Sequence, residues 1–390
     1  MSVEIRGGQH SIGADRPIIC HLTDFGSTSP GSFIDALVFL ALHCRARMGK
    51  ETFCVFPEHA RGNAWIKRFE EQGIVHGFVP KGRSTVLSLR MLLQRYQPLI
   101  IHSHFFTDDI AAVVLKLLLA PQSKVIWHLH SPGELSLRQR WKDVFKVRLL
   151  ARLVVDRFIA AGEGAYANAV VRGFSRKKLV LIPNGIDVGR FRPDPATRYR
   201  IRESLGVTQD QLVYLLLGWD PYTKGVDLFV KAAHETAHAL ERPSLFLVIG
   251  EARTREFVGK LPESARLGSA LRIVDPVTDF ASFLSAVDVV VSASRREGFG
   301  YAVAEGMAAG KLILLSDIPG ARKTFGGSRG VWLFGVEDWM TQAACMKTVG
   351  ELSFRERETL GAANSGYVTD RYSLTQWADT ISNLYQNLLV

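Results

Sequence analysis

The stretch SRREGFGYAVAEGMAAG at residues 294–310 decides how the rest of the chain reads. It follows the apolar run VDVVVSAS (287–294) and precedes KLILLSD (311–317). Both runs are of the kind that forms strands buried on both faces. Between them the pattern predicts a glycine-flanked turn, Gly298-Phe299-Gly300, and a short alanine-rich helix stopped by Gly310. A strand, a turn and a helix start in that order present backbone N–H groups and the positive end of a helix dipole to an anion. Glu297 and Glu305 bracket the turn with seven residues between them. Carboxylates beside an anion site make sense as acceptors for hydroxyls, and a nucleotide sugar carries both phosphates and hydroxyls.

Working outward, strand-like runs recur at 16–22, 51–56, 74–79, 98–103, Lys124–Leu129, 157–161 and 179–183, with helix-like stretches between most of them. The turn-rich segment NGIDVGRFRPDPATR (184–198) interrupts the alternation and reads as an interdomain linker. Alternation restarts at 211–218, 244–250, 270–275, 287–292, 311–316 and 330–334. The expectation is an α/β chain of two parallel-sheet domains, 1–188 and 189–372. A final helix at 373–390 either returns to cover the first domain or packs on its own. Ligands of such sheets bind beyond the carboxyl ends of the strands, so a cleft between the domains is the expected site.

One motif is a decoy. Gly162-Glu163-Gly164-Ala165-Tyr166-Ala167 matches G-x-G-x-x-A after the strand-like RFIAA, and Asp187 falls where a ribose-binding acid would. The motif closes a strand series instead of opening one, and Asp187 lies in the turn PNGID. A plain strand-to-helix turn is the preferred reading.

A length of 390 residues suits two domains, and 47% apolar with 22% charged residues is the balance of a globular protein, not a disordered one. The longest apolar run, IAAVVLKLLLA (110–120), is too short to span a bilayer and contains Lys116. The first 16 residues are polar, so no signal peptide is expected. Cys20, Cys44, Cys54 and Cys345 lack paired spacing, which points to a reducing, cytoplasmic setting without a disulfide framework or zinc site. The net charge of +10 is uneven: residues 1–185 carry 25 Lys and Arg against 14 Asp and Glu, the remainder 23 against 24. Either an anionic partner surface or a solvated basic face accounts for it.

The ordered set PNGID, GWDPYTKGVD, LVIGE and REGFGYAVAEGMAAGK resembles glycosyltransferase family 4, most closely over the C-terminal half. The resemblance implies a GT-B fold, two Rossmann-like domains facing across a cleft. It also implies retaining transfer of a sugar from a nucleoside diphosphate sugar. By position, Glu305 would bind the ribose hydroxyls and Glu297 the hydroxyls of the transferred sugar. The amides of Gly298, Phe299, Gly300 and Tyr301 would meet that sugar or the distal phosphate. Lys224, followed by Gly225, would clamp the diphosphate. His130, in WHLHSPGE, would reach the sugar from the N-terminal side. The loop TDFGSTSPGS, with Ser27, Thr28, Ser29 and Gly31, stands where the family has its glycine-rich first loop. With His104 of HSHFFTDD it is the candidate acceptor side. The catalytic set implied is His130, Glu297 and Lys224.

The chain departs from the family at Trp219, where an arginine is usual; Arg295, Arg296 and Arg253 are the candidates to replace that cation. No cluster with metal-ligand spacing is read from the sequence and no cofactor is expected, so turnover should be insensitive to EDTA. A front-side route is favoured over a covalent intermediate. The alternatives are a nucleotide-sugar epimerase of the same fold and a non-catalytic sugar-binding protein. The acceptor is left open among a glycan, a lipid-linked sugar and a small polyol, and a nucleic acid is not expected. The stretch 137–158 carries seven cations with Trp141, Phe145, Leu149 and Leu153 at helical spacing. It reads equally as a helix at the inner membrane face or as one packed on the first domain.

Overall fold

A computed structural model of the chain describes residues 5–6, 18–28, 30–80, 84–130 and 151–390. The strands of the first half are β1 (Ile5–Arg6), β2 (Ile19–Thr23), β3 (Thr52–Pro57), β4 (Val75–Val79), β5 (Ile100–His104), β6 (Lys124–Leu129), β7 (Arg157–Ala160) and β8 (Leu179–Leu181). Those of the second are β9 (Leu212–Leu217), β10 (Ser244–Ile249), β11 (Leu271–Val274), β12 (Val289–Ser292), β13 (Leu312–Ser316) and β14 (Val331–Phe334). Every strand expected from the sequence is present, and β1, two residues long, is an addition. The chain divides into two units, Met1–Gly185 with Leu374–Val390, and Ile186–Ser373.

In the first unit the sheet order is β1-β4-β3-β2-β5-β6-β7-β8. All pairings are parallel except that of β1 with β4. Strands such as TFCVFP are buried at every position, which a parallel sheet covered on both faces requires. Side chains alternate between the faces. Cys20, Leu22, Phe53, Val55, Ile101, Val125, Trp127 and Phe158 build one core. Ile19, Ile100, Ile126 and Ile159 face the other way, where Trp377, Ile381 and Tyr385 of the helix Leu374–Leu389 cover them. That helix lies along the helix Gly31–Met48, and Asp379 pairs with Arg47 between them.

In the second unit the order is β11-β10-β9-β12-β13-β14, all parallel. Both sheets reverse their strand order once, between β2 and β5 and between β9 and β12. Each reversal opens a crevice at the carboxyl ends of the two strands, because the chain leaves them toward opposite sides. The G-x-G-x-x-A decoy follows β7, well away from the β2–β5 reversal. Among the described residues, no helix is long and apolar enough to cross a membrane. Of the basic stretch 137–158, residues 137–150 lie outside the described residues; the rest forms a turn of helix, Arg152–Val154, and the start of β7.

Candidate active site

The β9–β12 reversal gathers the residues singled out in the second half of the sequence. β12 ends at Ser292, and the chain turns through Glu297 to Gly300, which caps the helix Tyr301–Ala308. Gly300 has φ +99°, a left-handed conformation that glycine adopts without strain. The Phe299 ring packs on Phe325 and Tyr372, with centroids 5.6 Å away in each case. Its side chain therefore belongs to the core, and the turn presents only its backbone. Gly298 is buried and Tyr301 half-buried. Glu305 lies one turn into the helix and is 7% exposed.

The loop after β9 meets this turn. Lys224 Nζ donates to Glu297 Oε2 at 2.7 Å, and Ser294 Oγ donates to the same oxygen at 3.3 Å. Gly225 follows with φ +67°, and a Cβ there would lie 2.1 Å from the Ala293 carbonyl oxygen. The two loops thus pack backbone against backbone, and the Arg295 N–H donates to the Thr223 carbonyl at 2.8 Å. The Arg295 guanidinium grips Asp227 at 2.9 and 2.8 Å and Glu337 at 2.5 and 2.8 Å. The hydrogen bonds it donates to these carboxylates, Asp227 first, raise its pKa further, so it is a permanent cation. It also donates to the Tyr222 carbonyl and stacks on the Tyr222 ring at 4.1 Å.

Arg295 is therefore committed to holding the loops together. Arg253 and Arg296 are both exposed. At the position where a cation was expected, Trp219 is 53% exposed, and its ring centroid is 5.3 Å from Lys224 Nζ. That is cation–π range, so the indole supports the lysine charge instead of adding one. A cavity of about 610 Å³ beside Asp288, Lys311 and Arg357 lies at the amino ends of β12 and β13, away from this crevice.

In the first unit, Ser27 and Thr28 are exposed in the loop after β2, and Ser29 lies outside the described residues. The Ser27 carbonyl accepts from Trp65 Nε1 at 2.9 Å and Asn63 Nδ2 at 3.0 Å, which pins the loop. Gly31, at φ +54°, starts the helix Gly31–Met48. His104 is buried at the end of β5, and His130 is half-buried just past β6. The sequence reading missed their company. His21, His102, His104, His128 and His130 form one cluster, with ring stacking at 4.3 Å between His102 and His104 and at 4.2 Å between His128 and His130. The H-x-H spacing in HSH and HLH was the available signal, since alternate residues of a strand share a face. Two triplets, His21/His102/His104 and His104/His128/His130, bring ring nitrogens within 4.8 Å, a span that a transition metal could bridge.

Two family models match the chain. "Glycosyltransferase Family 4" covers residues 47–190 and "Glycosyl transferases group 1" covers 197–363. The chain is 31% identical over 156 residues to the D-inositol 3-phosphate glycosyltransferase of Actinosynnema mirum, a stretch that is 37% of this chain and 36% of that protein. It is 25% identical to the protein of that name from Paenarthrobacter aurescens, over 76% of each. Among the first such relatives, then, the match spans between a third and a half of their length. In structure the chain is similar to Anabaena HepE, solved in complex with UDP, with a TM-score of 0.79 at 17% identity over 95% of this chain and 99% of that one. At that identity the likeness is one of fold.

Proposed function

We propose, for a chain that belongs to glycosyltransferase family 4 and has a GT-B type fold, that it moves a sugar from a nucleoside diphosphate sugar to a hydroxyl acceptor with retention of configuration. The observation that carries this reading is the Lys224–Glu297 bridge across the β9–β12 reversal. An ammonium has three donors, so Lys224 can keep Glu297 and still offer two N–H groups to phosphate oxygens. Its charge stands between the carboxylate and the diphosphate, which would otherwise repel each other. Glu297 keeps acceptor capacity for sugar hydroxyls, and Glu305 accepts from the ribose.

As the glycosidic bond breaks, negative charge grows on the leaving diphosphate. Lys224 and the amino end of the helix Tyr301–Ala308 meet that charge, and such pre-set groups act most where charge develops. Glu297, held by Lys224 and Ser294, is a poor nucleophile, which favours attack by the acceptor on the face the diphosphate leaves. Because the cation is supplied by the protein, turnover is expected to be the same with excess EDTA as with added Mg²⁺ or Mn²⁺. A strict requirement for either ion contradicts that assignment.

The acceptor remains a glycan, a lipid-linked sugar or a small polyol. Product analysis by NMR tests the reaction: the purified protein, a nucleoside diphosphate sugar and an acceptor panel should yield a glycoside with the anomeric configuration of the donor. An inverted product, a trapped glycosyl-enzyme, or donor epimerised without any acceptor would each overturn the scheme.

A further inference from the structure

The histidine cluster of the first unit consists of two hydrogen-bonded strings. In one, His21 Nδ1 lies 2.9 Å from His104 Nε2, and His104 Nδ1 lies 3.1 Å from His130 Nε2. In the other, the Tyr385 hydroxyl lies 2.5 Å from His102 Nδ1, and His102 Nε2 lies 3.2 Å from His128 Nδ1. The strings come together because β2, β5 and β6 are neighbours in the sheet, with His21 opposite His102 and His104 opposite His128. Three of the four contacts join two ring nitrogens, and each such contact needs one proton between them.

Burial is complete at His21 and His104 and partial at His130. It pulls the pKa of His21 and of His130 down to about 3, and burial followed by like-charged neighbours holds His104 well below the ordinary imidazole value. Every ring in the string is therefore neutral near pH 7, with one N–H and one lone pair. A row of such rings has only two consistent arrangements: all protons on Nδ1, or all on Nε2. The free end decides between them. His21 Nε2 is buried with no hydrogen-bond partner. An orphaned N–H there is less tolerable than an orphaned lone pair. The proton therefore sits on His21 Nδ1, then on His104 Nδ1, and finally on His130 Nδ1.

The geometry points to His21 and His104 as positioning residues that fix half-buried His130 as a neutral donor through Nδ1–H, offered to a substrate oxygen. Two aromatic rings hold the imidazole from the sides. Phe105 stacks on it at 5.2 Å and Phe33 meets it edge-on at 5.4 Å. Phe105 adopts φ +87°, a strained conformation for a residue with a side chain, of the sort found where a functional group is over-constrained. In this arrangement His130 acts as a donor and not as a base, because its second nitrogen is already occupied by the His104 proton. Bridging by a metal is the less favoured use of these nitrogens. Ligands about 2.0–2.1 Å from a tetrahedral zinc stand about 3.3 Å apart around one point. The closest contact here, 2.9 Å, suits a shared proton.

The tautomers rest on the geometry and burial of the string, whereas their use on a sugar rests on the glycosyl-transfer reading. The test is a two-bond ¹H–¹⁵N spectrum of ¹⁵N-histidine-labelled protein between pH 6 and 8, assigned with single histidine variants. His21, His104 and His130 should each be protonated on Nδ1 only, throughout that range. Protonation of any of the three on Nε2, or a doubly protonated His130, overturns the proposal. His104→Leu should let the His130 tautomers mix and lower kcat about tenfold with donor KM within about twofold, the loss expected of one hydrogen bond. His104→Asn, which keeps an N–H near the Nδ1 position, should recover most of that loss. If His104→Leu does not fold, the wild-type spectrum still decides. Wild-type protein with the assigned tautomers but no transferase activity would count against the reaction and not against the string. Visible d–d bands on titration with Co²⁺ would show imidazole ligation and overturn the donor assignment.

Discussion

Replacing Lys224 by alanine is expected to lower kcat by about a hundred- to a thousandfold, the usual cost of removing a pre-set group that meets charge in the transition state. The lysine is 17% exposed and is bonded to Glu297 at 2.7 Å, so its ammonium is placed before any substrate arrives. On the proposed reading, losing it removes the counter-charge for the leaving diphosphate and leaves a carboxylate facing the same phosphates. Donor KM should rise as well, because part of the attraction acts on the bound ground state. The fold should change little, since a partly exposed pair of this kind contributes on the order of 1 kcal/mol. Steady-state kinetics read beside a thermal melt separate the two effects. Near-normal kcat with a collapsed melting temperature would make Lys224 a structural residue only.

Gly225→Ala should be the most damaging small substitution in the second unit. Two penalties coincide there. A left-handed φ costs a residue bearing a Cβ about 1–2 kcal/mol, and the new methyl would stand 2.1 Å from the Ala293 carbonyl oxygen, which is backbone and cannot rotate away. The loop must move, and with it Lys224 and the Thr223 carbonyl that Arg295 holds. A loss of about 2–4 kcal/mol is expected in denaturant unfolding, together with weakened nucleotide binding. Unfolding and binding both within error of wild type would show that this contact is not required.

Much of this was legible in the sequence, for identifiable reasons. Buried parallel strands announce themselves as unbroken apolar runs, so VDVVVSAS and KLILLSD placed β12 and β13 and, with them, the turn that carries Glu297. Lys224 and Gly225 were legible because they follow a strand end. Other features depend on which strands are neighbours. Arg295 could not be matched to Glu337, 42 residues away, before β12, β13 and β14 were laid side by side. The histidine strings needed the same knowledge: HSH and HLH are two ordinary pairs until β5 lies beside β6 and His21 joins from β2. β1 left no trace because two residues carry no periodicity.

On the proposed reading, the β9–β12 crevice is built for a nucleoside diphosphate sugar. Thermal shift with UDP-, GDP-, ADP- and dTDP-sugars, run on wild type and on Glu305→Ala and Lys224→Ala, tests it most directly. One nucleotide should raise the wild-type melting temperature, since ligand at a hundred times its Kd adds about 2.7 kcal/mol by mass action. The same nucleotide should raise it far less in either variant. No shift with any donor, or equal shifts in all three proteins, would contradict the account.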